Sequence, residues 1–302
     1  MVYWQDVVQF AINGLTVGSF YALVALGYTM IYGIIRLINF AHGEIFTTGA
    51  YAGWLILTAL LGGFLPPYVG IAVALLLAMP LTGLLGVGLA RVAYLPLLKA
   101  PRLTILITAL GASIALQNFF KVAFGAGFKT YPHLLGRLTW TFGGIQLKAE
   151  QLVFFLLSLA LMALLNAFIF RTPLGMAMRA LALDQDAARL MGIPVERVIL
   201  FTFFVAGGLA AAAGVMYGMY YTQISFFMGF LLGLRAFTAA VLGGIGNIPG
   251  AVLGGFLIGI LEAFASGYLG GQWKDVVVFA VLIVVLTFRP QGILGERVVE
   301  RM

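Results

Sequence analysis

Two groups of polar side chains in this sequence could do chemistry, and both lie among long apolar stretches. The first group is Asn39, His42 and Glu44, which fall within one short segment. The second is Arg235 and Glu262, which lie on two consecutive apolar segments. Polar and charged side chains are costly in lipid, so we expect all five to face the protein interior or water.

The first group allows more than one chemical interpretation. Asn, His and Glu side chains can hold a metal ion, but three ligands from one short segment do not have the spacing usual for zinc, and we predict no metal site. Two interpretations remain open, which are the packing of polar groups where a helix turns over and a role in lining a transport pathway. His42 could also titrate near neutral pH, although nothing else in the sequence requires it.

The second group consists of the two charges that lie deepest in the predicted helices. At about 1.5 Å per residue, Arg235 and Glu262 lie roughly 15 and 18 Å from the inner ends of their helices. Opposite charges at similar depth on adjacent antiparallel helices can pair, which relieves the cost of burying either one. We therefore predict a buried Arg235–Glu262 ion pair. The alternative is that Arg235 binds the carboxylate of a substrate.

The elements that position these side chains must be membrane-spanning helices. The 302-residue chain is 63% hydrophobic and 9% charged, whereas an ordinary soluble domain is about 25% charged. A soluble domain of this length would have too little polar surface to face water. This composition excludes a soluble enzyme, a nucleic-acid-binding protein and a disordered protein. The absence of cysteine excludes disulfides, thiol catalysis and cysteine metal sites.

We predict an all-α polytopic membrane protein with about eight to ten transmembrane helices, forming a single domain over residues 1–302. A spanning helix needs about 20 mostly apolar residues, and no segment has the alternating pattern of a transmembrane barrel. The stretches 36–49 and 243–250 are polar or glycine-rich, so each is expected to be a loop or a break within the membrane. The candidate spans are 10–35, 41–62, 68–90, 103–124, 150–170, 198–221, 228–245, 250–270 and 274–289.

Basic residues predict the orientation of these spans. Most of the 17 Lys and Arg residues fall on one side, and such an excess marks the cytoplasmic side. We therefore expect the N-terminus outside, the C-terminus in the cytoplasm, an external loop near 125–149 and a cytoplasmic loop near 171–197. The cytoplasmic set is Arg36, Arg91, Lys99, Arg102, Arg171, Arg179, Arg189, Arg197, Arg289, Arg297 and Arg301, and the external set is Lys121, Lys129, Arg137, Lys148 and Lys274.

The cytoplasmic loop contains a short helix with its own start and stop signals. Asp184 can cap this helix by accepting backbone N–H bonds, and Gly192 can end it in the left-handed conformation. A helix of about two turns is marginal alone in water, so these signals favour a helix docked on another surface over a solvated loop. Its apolar contact would come from Ala187, Leu190 and Met191, with Asp186 and Arg189 as a polar rim.

Several segments resemble known permeases. Asp186-Ala187-Ala188, followed by Gly192, resembles the EAA…G coupling loop of bacterial ABC importer permeases, with Asp in place of the usual Glu. Nearly the whole chain is similar to the LivH-like permease subunits of branched-chain amino acid importers. The stretches that carry this likeness are Asn13-Gly14-Leu15, Gly18-Ser19, Tyr21-Ala22-Leu23, Gly27-Tyr28-Thr29-Met30, Tyr32-Gly33-Ile34-Ile35, Ile38-Asn39-Phe40-Ala41-His42-Gly43-Glu44, 233–246 and Pro249-Gly250.

The resemblance implies a permease subunit of an ATP-driven importer that works by alternating access in the bacterial cytoplasmic (inner) membrane. It implies four partners besides the lipid bilayer: a second related permease, two cytoplasmic ATPase subunits and a periplasmic substrate-binding protein. ATP and Mg would bind to the ATPases and no cofactor to this chain, which has no Gly-Lys pair and hence no P-loop. The implied ATPase-coupling residues are Asp184, Asp186, Ala187, Ala188, Arg189, Leu190 and Gly192, and the candidates for the substrate pathway are Asn39, His42, Glu44, Arg235 and Thr238.

Other functions remain open at this point. An ion-coupled secondary transporter or channel explains helix breaks and buried charges, but it does not explain the capped cytoplasmic helix. A membrane enzyme would need a catalytic cluster, which the 10 acidic residues and two histidines do not form in the sequence. Related permeases also serve amides and urea, so the sequence leaves the cargo open.

Overall fold

The fold is a bundle of helices, as the composition predicts. A computed structural model describes residues 4–60, 66–98, 100–135 and 138–295. Four basic residues of the orientation argument, Lys99, Arg137, Arg297 and Arg301, lie outside the described residues. The helices are α1 (Trp4–Ile35), α2 (His42–Leu55), α3 (Pro67–Leu89), α4 (Arg102–Phe124), α5 (Ala149–Arg171), α6 (Pro173–Leu183), α7 (Gln185–Leu190), α8 (Val195–Tyr221), α9 (Met228–Gly243), α10 (Ile248–Tyr268) and α11 (Lys274–Phe288).

Every predicted span falls on one of these helices, but their lengths differ. Among the described residues, six helices are long and apolar enough to cross a membrane, namely α1, α3, α4, α5, α8 and α10. The other three predicted spans are α2, α9 and α11, with 14, 16 and 15 residues. Five π-helical residues, Ile56–Leu60, lengthen α2. The α3 segment continues through the π-helical Ala90–Tyr94 and the 3-10 turn Leu95–Leu97.

One end of the bundle carries four short strands, and we call it the hairpin end. Here the strands β2 (Thr139–Phe142) and β3 (Ile145–Lys148) form an antiparallel hairpin, and β1 (Lys129–Thr130) pairs with β4 (Gln223–Ile224). The start of α1 lies at this end, because Gln5 Nε2 donates a hydrogen bond to Gly143 O at 2.9 Å.

The opposite end carries α7, and we call it the α7 end. Gln185 Nε2 donates to Ile34 O, at the end of α1, at 2.6 Å. The segment after α11 also lies here, because Ile293 N donates to Leu242 O at 2.8 Å. The end of α1, helix α7 and the segment after α11 therefore lie at the same end, as the predicted topology requires. Which side faces the cytoplasm stays a prediction.

Helices α1 and α10 form a close contact within the bundle. Glycines four residues apart let helices approach closely in lipid. A Cβ atom added to Gly18 would lie 2.8 Å from Phe256 Cα, and one added to Gly14 would lie 2.6 Å from Ile260 Cα. The backbones of α1 and α10 therefore touch, which fixes the depth of side chains on one helix relative to the other.

The two polar or glycine-rich stretches have different structures. After α1, Arg36 adopts a positive φ of 53°, and α2 begins only at His42. The His42 ring packs against Tyr28 with centroids 4.9 Å apart, about two turns before the end of α1. The chain thus folds back, and α2 begins inside the bundle.

The second stretch is a tight turn at the α7 end. Gly244 and Gly246 have φ of 106° and 96°, which is the left-handed region that glycine tolerates. Asn247 then caps α10 by accepting a hydrogen bond from Gly250 N at 2.8 Å. The stretch 243–250 is therefore a loop and not a break in the bundle interior.

Candidate functional site

Arg235 of α9 is the centre of a buried ionic network. Its Nη1 lies 3.2 Å from Glu262 Oε1 of α10, and its Nη2 lies 2.6 Å from Asp275 Oδ1 of α11. The Nε atom also donates to Asp275 Oδ1, at 2.7 Å. The structure thus brings Arg235 and Glu262 together and adds a second carboxylate that the sequence analysis missed.

Tyr21 and Lys274 complete this network. The buried Tyr21 hydroxyl of α1 donates to Glu262 Oε2 and accepts from Arg235 Nη1 at 3.2 Å. Lys274 Nζ of α11 lies 3.5 Å from Glu262 Oε1. Two cations thus face two carboxylates, and the network joins α1, α9, α10 and α11 without a net charge. Lys274 belongs to the predicted external set of basic residues, and no partner was predicted for it.

Burial differs sharply within the network. The side chains of Arg235 and Glu262 are each 7% exposed, whereas those of Lys274 and Asp275 are 33% and 37% exposed. Helix α10 starts at the α7 end and finishes at the hairpin end, so α11 begins there with Lys274. The two accessible charges therefore lie towards the hairpin end. The network therefore has a buried centre and a partly exposed side.

A cavity of about 280 Å³ opens on this accessible side. It lies between α1, α8, α10 and the start of α11, and we call it the hairpin-end cavity. Glu262 and Lys274 supply its charges, while Asn13 and Ser266 add polar groups. The rest of its wall is mostly apolar or aromatic and includes Phe10, Val17, Tyr220 and Tyr221.

The other predicted pathway residues lie in the interior. Asn39, His42, Glu44 and Thr238 are all buried, and in the described part of the chain none of them bonds to Arg235. Asn39 Oδ1 accepts from the Tyr94 hydroxyl at 2.6 Å, and Thr238 Oγ1 donates to Leu234 O at 2.9 Å.

His42 and Glu44 have an unusual environment. Both side chains are buried, and within the described ranges neither forms a hydrogen bond of normal geometry. The part of the chain that the structure describes contains no group of three His, Cys, Asp or Glu side chains that could hold a metal ion. Both residues lie in the first turn of α2, which begins inside the bundle. Their buried polar groups therefore lie at the break between α1 and α2.

The predicted start and stop signals of the cytoplasmic helix match the geometry of α7. Asp184 Oδ1 accepts hydrogen bonds from Asp186 N and Ala187 N at 2.9 and 3.0 Å. Gly192 has a φ of 80°, which is the conformation expected just after a helix end. Helix α6, which was not predicted, precedes α7 and begins where Thr172 Oγ1 accepts a hydrogen bond from Gly175 N at 3.1 Å.

Helix α7 is fixed to the bundle on one side and open on the other. Ala188 is buried against the bundle, and Gln185 is bonded to the end of α1 as described above. Leu190 and Met191 are 88% and 82% exposed, and Asp186, Ala187 and Arg189 are exposed as well. Large exposed apolar side chains beside charged ones are typical of interaction surfaces.

Comparisons of the sequence with known proteins show the family to which the chain belongs. A family described as "Branched-chain amino acid transport system / permease component" matches residues 10–286. The chain is 45% identical over 300 residues to the high-affinity branched-chain amino acid transport system permease protein BraD of Pseudomonas aeruginosa, covering 97% of each chain. It is 43% identical over 296 residues to the permease protein LivH of the corresponding system of Escherichia coli, covering 96% of each.

A more distant similarity connects the chain to a second type of permease. It is 25% identical over 301 residues to the permease protein LivM of the high-affinity branched-chain amino acid transport system of Escherichia coli, covering 92% of this chain and 68% of that one. Because the family match runs from α1 into α11, it includes the ionic network, the hairpin-end cavity and α7. This multi-pass membrane protein therefore belongs to the family of permease components of branched-chain amino acid transport systems.

Proposed function

We propose that this chain is one of two membrane subunits of an ATP-driven importer for branched-chain amino acids. The observation that carries the proposal is the identity of 43–45% over nearly the full length to permease proteins of high-affinity branched-chain amino acid transport systems. The similarity to LivM supports a related but different chain as the second membrane subunit.

Helix α7 would be the contact for the cytoplasmic ATPases. It is capped at Asp184, ended at Gly192 and bonded to α1 through Gln185, so it has a fixed position before any partner binds. Its exposed Leu190 and Met191 supply the apolar surface that a groove on an ATPase would cover. ATP and Mg would bind to the ATPases, so this chain would transmit motion rather than catalyse hydrolysis.

The hairpin end would face the periplasm and receive the loaded substrate-binding protein. This assignment puts the N-terminus outside and the C-terminus in the cytoplasm of a bacterial inner membrane, in agreement with the excess of basic residues at the α7 end. Exposed aromatic residues at the hairpin end, including Phe128, Trp140 and Phe142, support a partner surface there.

Alternating access would connect the two ends. A displacement of α7 by the ATPases would act on the end of α1 through the Gln185–Ile34 hydrogen bond. Helix α1 packs tightly on α10 and carries Tyr21 of the ionic network. Motion at the α7 end would therefore reach the helices that surround the hairpin-end cavity.

The predicted pathway residues fit this scheme in two ways. Arg235 contacts Glu262, which lines the hairpin-end cavity. Asn39, His42, Glu44 and Thr238 are buried in this conformation, so a role in the pathway would require α2 and α9 to separate during transport.

Reconstitution tests the proposal. The chain is combined in liposomes with a LivM-type permease, the two ATPases and the binding protein, and uptake of radiolabelled leucine is measured with and without ATP. We expect uptake that needs ATP and every partner, and an excess of acetamide or urea should not compete. Leucine uptake driven by an ion gradient with the ATPases omitted would instead indicate a secondary transporter.

A further inference from the structure

We propose that the hairpin-end cavity binds the zwitterionic end of an amino acid, with Lys274 holding the carboxylate and Glu262 the ammonium group. The inference rests on the proposed function, since it assigns a binding site to the cargo. It differs from the sequence-based candidates, because Lys274 and the cavity were not among them.

The spacing of the two charges leaves Lys274 available to a ligand, and Glu262 lines the cavity beside it. Lys274 Nζ lies 3.5 Å from Glu262 Oε1, whereas a charge-assisted hydrogen bond between such groups has a length of about 2.7–2.9 Å. The Lys274 ammonium therefore keeps hydrogens free to donate into the cavity. In a zwitterion bound beside this pair, the carboxylate would face Lys274 and the ammonium group would face Glu262.

Arg235 acts in this site as a positioning residue. Its guanidinium donates to Asp275 and Tyr21, and it also bonds to Glu262, so little of it remains for a substrate carboxylate. Together with Tyr21, it holds the Glu262 carboxylate in one orientation and keeps a positive charge behind it. The cavity therefore presents one fixed anion and one more mobile cation.

The size and the remaining wall of the cavity suit a small apolar amino acid. Its volume of about 280 Å³ is close to the lower limit of about 300 Å³ for typical small-molecule pockets, so one small molecule fits it. Phe10 and Val17 give an apolar surface for an aliphatic side chain, and the rings of Tyr220 and Tyr221 can also face an ammonium group. An amide or urea would lack the two charges that match Glu262 and Lys274.

Direct binding to the membrane complex tests the proposal. The assembled permeases and ATPases are placed in lipid nanodiscs without the binding protein, and saturable binding of radiolabelled L-leucine is measured. We expect Lys274→Gln to weaken binding about tenfold or more, which is the size expected for one lost charged hydrogen bond, and Lys274→Arg to retain it. Lys121→Gln is the matched control, because Lys121 is an exposed lysine that lies at the hairpin-end terminus of α4 and does not line the cavity.

Ligand analogues test the two charges separately. 4-Methylpentanoate lacks the ammonium group and isoamylamine lacks the carboxylate, so each should compete about tenfold or more less well than leucine. In Lys274→Gln, the advantage of leucine over isoamylamine should largely disappear. If Lys274 had only a structural role, Lys274→Gln would instead weaken the binding of all these compounds alike.

The outcomes separate this inference from the proposed function. If ATP-dependent uptake is normal but the complex without binding protein shows no saturable leucine binding, or if Lys274→Gln binds as well as Lys121→Gln, the cavity is not the site and the proposed function stands. If uptake itself fails with all partners present, the proposed function is wrong, and so is the site that rests on it.

Discussion

At the scale of single residues, Arg235 binds several partners and not one. The sequence predicted a pair with Glu262, and the two side chains do lie in contact. Asp275, Tyr21 and Lys274 surround the pair, so each charge faces more than one neighbour. The effect of a substitution therefore depends on the whole network.

Exchange of the two charges should not restore stability or transport. In Arg235→Glu with Glu262→Arg, an acid at position 235 would face Asp275 and a base at position 262 would face Lys274. We expect the double variant to be no more active in uptake than either single one. Full recovery would show that the pair is isolated from its neighbours.

Removal of one partner should be worse than removal of both. Arg235→Met leaves Glu262 buried without its main cation, and breaking a buried pair in this way costs about 3–5 kcal/mol. We expect Arg235→Met with Glu262→Met to recover part of that loss, as measured by unfolding of the purified protein in detergent. Arg189→Met, at an exposed position on α7, is the control and should change stability by about 0.5 kcal/mol or less.

At the scale of elements, close packing of α1 on α10 fixes the geometry of the network. The glycines of this contact leave no room for a methyl group, because the atoms that a Cβ would meet belong to the backbone of the other helix. Backbone cannot rotate away as a side chain can, so the two helices would have to separate. Tyr21 and Glu262 lie on these same two helices, and their hydrogen bond depends on the contact.

A pair of Gly→Ala variants tests this packing. Gly18→Ala places a methyl group 2.8 Å from Phe256 Cα, whereas a Cβ at Gly111 of α4 meets nothing within 4 Å. We expect Gly18→Ala to lower stability by about 1–3 kcal/mol and Gly111→Ala to be neutral or slightly stabilising, because alanine favours a helix more than glycine does. Equal melting temperatures for the two variants would contradict the close contact.

At the scale of the whole molecule, the two ends of the bundle have different surfaces. The hairpin end has a cavity with opposite charges on its wall, and the α7 end has a short helix with exposed apolar side chains. The Gln185–Ile34 bond and the tight α1–α10 contact join the two ends mechanically. The proposed coupling between α7 and the cavity would use these contacts.

A charge on the exposed face of α7 should separate folding from coupling. Leu190 is 88% exposed, so Leu190→Glu should leave the melting temperature of the isolated permease unchanged. We expect the same change to prevent co-purification with the ATPases and to abolish ATP-dependent uptake, because a carboxylate would be buried in the proposed interface. Leu190→Met keeps an apolar side chain and is the matched control. Normal co-purification of Leu190→Glu would mean that the ATPases bind elsewhere.

The sequence by itself determined the features that depend on local pattern. The apolar runs predicted every long helix, because each span must be apolar along its own length. Asp184 and Gly192 predicted the limits of α7, because caps and stops act within a few residues. Helix α6 has 11 residues and lies outside the long apolar runs, so these runs did not predict it.

Only the tertiary structure decided which side chains meet across helices. Lys274 and Asp275 are the first residues of the last predicted span, at its external end, where charges are expected to be solvated. They join Arg235 and Glu262 because α11 is short and begins beside the network, and neither its lateral position nor its depth follows from local pattern. The same holds for α2, which begins inside the bundle at His42. The composition thus determined a membrane bundle, whereas helix packing decided the ionic network and the cavity, because contacts between distant segments depend on how all the helices fit together.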